Sequence, residues 1–161
     1  MDDIFLKLEG IQGEAQDSVY KDEIDVFAWS WGMHQSGTTH MGPGGGGGKV
    51  SVSDITVTKN VDKATPNIIK YCCSGDHIPT AKLIVRKAGG SPVEYYTLDM
   101  KQVIISSYNT GGSKDGLDRV QETLTLNFRE FEMNYTEQNA DGTAGPSTPA
   151  AFNIAENEAP S

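Results

Sequence analysis

Apolar residues in this chain recur at every second position, and twice within a long run their parity slips. Val50 and Val52 share one face, whereas Ile55 and Val57 fall on the other, so the pattern shifts near Ser53-Asp54. Leu124, Leu126 and Phe128 share a face, and Phe131, Met133 and Tyr135 take the opposite parity, with the shift near Arg129-Glu130. Period two is the repeat of a strand with one buried face. A slip inside such a run requires a bulge or a sharp bend, which turns the strand and increases its twist. Two slips predict a strongly curved sheet, and curved sheets close into barrels. The predicted fold class is therefore mainly β: a small closed or curved β-barrel with one short helix and a long extended glycine-rich loop.

Further strands follow from the same alternation. Ile4, Leu6 and Leu8 share a face until Gly10 and Gly13 interrupt it. Phe27, Trp29 and Trp31 form a large aromatic face separated by Ala28 and Ser30, inside a strand expected over 25–36. Such a face suits core or subunit interface better than a sugar-stacking platform. Strands are also expected over 81–86, 93–98 and 102–108, with Asp99-Met100-Lys101 as a connection and glycine-rich turns at 87–92 and 110–116. One helix is predicted at about Thr65-Gly75. Thr65 is the expected N-cap, Pro66 takes the first helical position, Ile68, Ile69 and Cys72 form the apolar stripe, and Gly75 terminates it.

Residues 38–49 form a loop that contains Gly42, Pro43 and five consecutive glycines, Gly44, Gly45, Gly46, Gly47 and Gly48. Polyglycine has no side chains to pack and a large ordering cost, so a neighbour must order it. The chain of 161 residues fits one domain. From Glu130 onward there are six acids and no Lys or Arg. Residues 138–151 read as a flexible linker within an acidic C-terminal tail at about 136–161, with Phe152-Asn153-Ile154 as an apolar island able to dock back.

Charge narrows the function. Lys+Arg 13 against Asp+Glu 22 gives a net charge of −9, which argues against a nucleic-acid partner and against a basic membrane-surface helix. No window is apolar enough to insert in a membrane. The start Met1-Asp2-Asp3 lacks the bases of a signal peptide, so synthesis in the cytoplasm without the general secretory route is expected. Cys72 and Cys73 are adjacent and read as reduced packing thiols.

Motif tests for chemistry fail. A phosphate loop ending at Lys49 needs glycine where Pro43 stands and Ser or Thr where Val50 stands. His34, His40 and His77 lack metal-ligand spacing, and the cysteines are not Cys-x-x-Cys. No catalytic, cofactor or metal residue is assigned. A curved sheet has edges that must pair or be blocked, and a long loop needs a neighbour, which together favour assembly over catalysis.

The residues Glu23-Ile24-Asp25-Val26, Ala28-Trp29-Ser30-Trp31-Gly32-Met33, Gln35-Ser36-Gly37 and His40-Met41-Gly42 resemble the haemolysin-coregulated proteins (Hcp) of bacterial type VI secretion. So do Thr58-Lys59, Asp62-Lys63, Thr65-Pro66-Asn67, Arg86-Lys87-Ala88-Gly89, Gly111-Gly112, Leu124-Thr125-Leu126-Asn127-Phe128 and Asn153-Ile154, in order along almost the whole chain. The resemblance implies hexameric rings that stack into a hollow tube, expelled by a contractile sheath with a spike at its tip. It implies export to the extracellular space or a target cell, small effectors as cargo in the channel, and no cofactor. Under it, His40, Met41, Gly42, Pro43, Gly44 to Gly48 and Lys49 are the expected ring–ring or subunit contact. Gly111, Gly112 and Ser113 are the expected channel-facing, effector-facing residues. The alternatives are a carrier specialised for effectors and a carbohydrate-binding β-barrel.

Overall fold

The computed structural model describes residues 2–36, 49–88, 92–116 and 119–159. In chain order they form β1 (Asp2–Leu8), β2 (Ile24–Asp25), β3 (Ala28–Ser30), β4 (Met33–His34), β5 (Ser51–Val52), β6 (Ile55–Asn60), α1 (Thr65–Ser74), β7 (Ile78–Lys87), β8 (Glu94–Gly111), β9 (Gln121–Asn127), β10 (Glu130–Gln138) and β11 (Ala144–Asn153). Hydrogen-bonded neighbours run β2-β1-β7-β8-β9-β6-β3, and β10 pairs with both β8 and β11. Every pairing is antiparallel.

β2 and β3 stand at opposite ends of this path but are nearly consecutive in sequence. Between them the Val26 N–H donates to Ile4 O at 2.9 Å and the Phe27 N–H to Thr58 O at 2.8 Å. One bent run of chain thus touches both sheet edges, and the curved sheet meets itself across a corner rather than through a continuous ladder. This disposes of two of the edges that would otherwise template foreign strands.

The bends fall where parity slips. β5 and β6 are separated by Ser53-Asp54, and β9 and β10 by Phe128-Arg129. The connection expected at Asp99-Met100-Lys101 is not there. β8 is one strand of 18 residues that pairs with β7 and β10 along its first part and with β9 along its second. It turns at Gln102, whose φ of 53° lies in the left-handed region, a conformation that costs a non-glycine residue about 1 kcal/mol or more. A register shift between Ile105 and Ser107 adds further curvature. Alternation alone could not separate a bent strand from two strands with a link. Leu6, Leu8, Ile55, Leu83, Leu98, Leu124 and Leu126 fill the interior.

The helix ends at Gly75, at φ 72°, where its N–H bonds to Tyr71 O. Its N-cap is Ala64, with no side-chain cap, rather than the predicted Thr65. The Thr65 hydroxyl is drawn inward instead, donating to Glu122 at 2.8 Å. The linker expected over 138–151 is also replaced. β11 pairs with β10 from Asn153 to Ala144, and Phe152 and Ile154 pack on the core. Low apolar content there reflects an exposed edge strand, not an unstructured one.

Segment 12–23 straps the outer face of β1 and β7. Arg86 donates to Asp17 at 2.6 and 3.0 Å and to Asp3 at 2.9 Å, and its guanidinium lies 5.0 Å from the Phe5 ring centre. Gly13 is required where the strap crosses, because a Cβ there would meet Glu23 O at 2.6 Å. Hydrogen bonds from Arg86 hold the Asp17 carboxyl well below the usual carboxylate range, helped by the Tyr20 and Val19 N–H groups. A carboxyl depressed on folding stabilises the fold above its unfolded value of about 3.9. That contribution fades as pH falls through the folded value. Asp17→Asn is therefore less stable than the parent at pH 7, and the gap narrows below about pH 4. Urea midpoints from pH 7 to pH 2 check this, and parallel acid limbs would contradict it.

Candidate assembly surfaces

The expected contact loop springs from the two-stranded stem of β4 and β5, where Met33 pairs with Val52 and His34 with Ser51. Lys49 is exposed at its base. His40, Met41, Gly42, Pro43 and Gly44 to Gly48 lie outside the described residues.

Beside the stem is an apolar groove of about 490 Å³, lined by Trp31, Met33 and Val52 on one side and by Tyr96, Phe131, Met133 and Phe152 on the other. Its origin is topological. Phe131 pairs across from Met100, and Met133 from Leu98, so these side chains belong to the same sheet face as the core. Past β8 that face continues onto β10 and β11, where, among the described residues, the stem and the indoles cover it. Trp31 meets Phe131 edge-on at 4.9 Å, and Trp29 packs on Tyr96 at 5.0 Å. Burial pushes the Tyr96 phenol up. The three aromatics of the period-two run therefore do not share one surface. Trp29 and Trp31 pack on the core, and Phe27 is 69% exposed, so no stacked sugar platform forms.

The second expected site closes the β8–β9 hairpin. Gly111 ends β8 opposite Gln121, and Gly111, Gly112 and Ser113 are exposed. With Gly116, Arg119 and Val120 they line a hollow of about 280 Å³. This turn is tied to the chain before α1: Arg119 donates to Val61 O and the Val61 N–H to Val120 O, both at 2.9 Å. The stem groove and this hollow share no lining residue.

Behind the hairpin lies a polar cluster with no local sequence signal. Lys59 Nζ, fully buried, contacts Glu122 at 2.6 Å and Asp62 at 2.9 Å. Glu122 also accepts from Thr65 and Tyr108, at 2.8 and 2.9 Å. Burial raises the Tyr108 hydroxyl pKa, and its bond to Glu122 raises it further. Each oxygen of Glu122 is thus occupied, which is what a buried carboxylate needs.

The outward face above this cluster is the reverse of an ordinary surface. Register aligns Ser30, Thr56, Thr125 and Ser107 in one row, and Ala28, Thr58, Thr123 and Asn109 in the next. Ser107 and Thr125 hydroxyls bond at 2.6 Å, and those of Thr58 and Thr123 approach to 3.4 Å. In β3, β6, β9 and residues 104–111 of β8 the charged residues are Lys59 and Glu122 alone, and both point inward.

Among the described residues no group of His, Cys, Asp and Glu is placed to hold a metal, and no helix is long and apolar enough to cross a membrane.

Residues 5–135 match the family profile described as type VI secretion system effector, Hcp. The chain is 50% identical over 157 residues to protein hcp1 of Pseudomonas aeruginosa, covering 96% of each. It is similar to the crystal structure of Hcp1 from Salmonella typhimurium, with 37% identity, 99% of each chain covered and a TM-score of 0.82. A solved type six secretion system protein superposes with a TM-score of 0.92 at 29% identity, over 98% of this chain and 99% of that one.

Proposed function

Since this chain belongs to the Hcp family of type VI secretion proteins, we propose that its copies close head to tail into hexameric rings that stack into the secretion tube. The chain is a subunit of that tube, and its export is by type VI secretion. The observation that carries this reading is the family match over 5–135 together with a common fold over nearly the whole chain.

The surface chemistry supports the assembly. A closed ring needs a heterologous contact, with a different patch of each copy on either side. Among the described residues the stem groove is apolar and uncovered, which marks a surface to be covered, and the occupant we assign is the adjacent copy. The loop carried by the stem reaches a copy in the same or the next ring. Sheath and spike components are the partners outside the tube. In a second reading the ring also shelters small effectors, with Gly111, Gly112 and Ser113 facing them; the exposed hollow at that turn favours it.

Size-exclusion chromatography with negative-stain microscopy tests the assembly. Annular particles are expected, and a strictly monomeric sample at high concentration would overturn it. Deleting Gly44 to Gly48 leaves rings intact and shortens or abolishes stacks; unchanged tube length in micrographs would remove the loop from the stacking contact.

A further inference from the structure

Resting on the reading of the stem-borne loop as the stacking contact, we propose that Asp54 is the positioning residue that aims it. The Asp54 carboxylate clamps the stem of β4 and β5 to β8 and β9 and so fixes the direction in which the stem stands from the body.

The stem cannot hold itself. Its ladder consists of Met33 with Val52 and His34 with Ser51, and a lone two-stranded ribbon is marginal in water even when longer. Its orientation therefore comes from its base. Among the described residues, side-chain hydrogen bonds at that base come from Trp31 and Asp54. The Trp31 indole N–H donates to Ser53 O at 3.0 Å, and the Ser53 N–H donates to Gly32 O at 2.9 Å. These bonds tie the two legs of the stem to each other. Asp54 supplies the tie to the sheet: one carboxylate oxygen accepts from the Ser106 hydroxyl at 2.6 Å and the other from the Asn127 amide at 2.8 Å.

Register explains why these three side chains meet. Ile55 pairs with Leu126, and both point inward, so their neighbours Asp54 and Asn127 share the outward side. Strict alternation would place Ser106 and Ser107 on opposite faces of β8. The register shift between Ile105 and Ser107 makes Ser106 the extra residue of a bulge, and a bulge re-aims a side chain. Both serine hydroxyls consequently lie within 2.7 Å of the Thr125 hydroxyl.

Donor counting sets what the clamp tolerates. A carboxylate only accepts, so Ser106 gives its one proton to Asp54, Thr125 donates to Ser106, and Ser107 donates to Thr125. One carboxylate thus orders three hydroxyls on two strands. An asparagine at position 54 can serve the same partners: its oxygen accepts from Asn127, its NH2 donates to Ser106 Oγ, and the hydroxyl chain reverses. An alanine serves neither partner. A stem already held in one direction leaves little ordering cost for the moment of contact. Asp54 is only partly buried, so losing the clamp takes little from the fold. The same loss recurs in every copy of a ring, where modest contacts act together.

The test compares full-length Asp54→Ala and Asp54→Asn with the parent and with the chain lacking Gly44 to Gly48. A nitroxide on Ser51→Cys, in a Cys72→Ser, Cys73→Ser background, reports stem motion; tube length is read in micrographs of unlabelled protein. Asp54→Ala is expected to sharpen the label spectrum and shorten tubes several-fold. It should keep ring-sized elution and a melting temperature within about 4 °C of the parent. Asp54→Asn is expected to match the parent in spectrum and tube length, which a bare requirement for negative charge would not allow. Asn127→Ala, which removes one bond and leaves the bend untouched, should fall between Asp54→Ala and the parent in both readouts. An immobile label or full-length tubes in Asp54→Ala, while the loop deletion shortens tubes, would overturn the inference. So would an Asp54→Asn chain that behaves like alanine, or an Asn127→Ala chain that matches the parent. Unchanged tube length in the loop deletion would instead defeat the stacking reading on which the inference rests, with the label spectra still deciding whether Asp54 holds the stem.

Discussion

Lys59→Met lowers the unfolding free energy by about 3–5 kcal/mol, the usual cost of breaking a buried ion pair from one side. The ammonium is fully buried between Glu122 and Asp62, so methionine fills its stem volume and leaves two carboxylates close together without a cation. Two carboxylates without a cation at low local dielectric cost stability. Converting Glu122 to Leu in the same chain recovers part of it, because the second unpaired group is then removed as well. Denaturant melts at a concentration low enough to suppress assembly measure all of this, since assembly otherwise adds to apparent stability. A Lys59→Met variant within about 1 kcal/mol of the parent would show that the cluster is not a stability element.

Met33→Asp separates folding from assembly. Met33 is 48% exposed on β4 and lines the stem groove. In the isolated subunit the new carboxylate sits in water, so stability changes by no more than about 0.5 kcal/mol. In a ring the same carboxylate is covered by apolar surface without a partner, a cost of several kcal/mol at each contact. Every contact in a closed ring suffers alike, so the whole species shifts from ring to monomer. The readout is an elution volume that moves to the monomer position with an unchanged thermal melt. Ring-sized elution from a well-folded Met33→Asp sample would remove the groove from the contact between copies.

The two variants probe features of unequal legibility. The groove was half visible in sequence, because Trp31 announced an aromatic face. Its opposite wall of Tyr96, Phe131, Met133 and Phe152 comes from strands far along the chain. The ion pair was invisible, since Lys59 and Glu122 are 63 residues apart and each looks like an ordinary solvated charge. Thr65 shows the same limit at close range: its hydroxyl suits an N-cap, but Glu122 outbids the helix N-terminus for it.

What the sequence settles by itself is local. Alternation, the two parity slips, Pro66 and Gly75 place most strands, their bends and the only helix described, because strand parity and backbone sterics act over a few residues. The ordered motifs carry the family in the same way. Tertiary structure alone decides that β8 runs unbroken through Gln102, that the tail becomes β11, and that two charges turn inward beneath a neutral face. Those outcomes depend on which distant strand lies alongside and in what register, and a one-residue shift in that register would send every side chain to the other side.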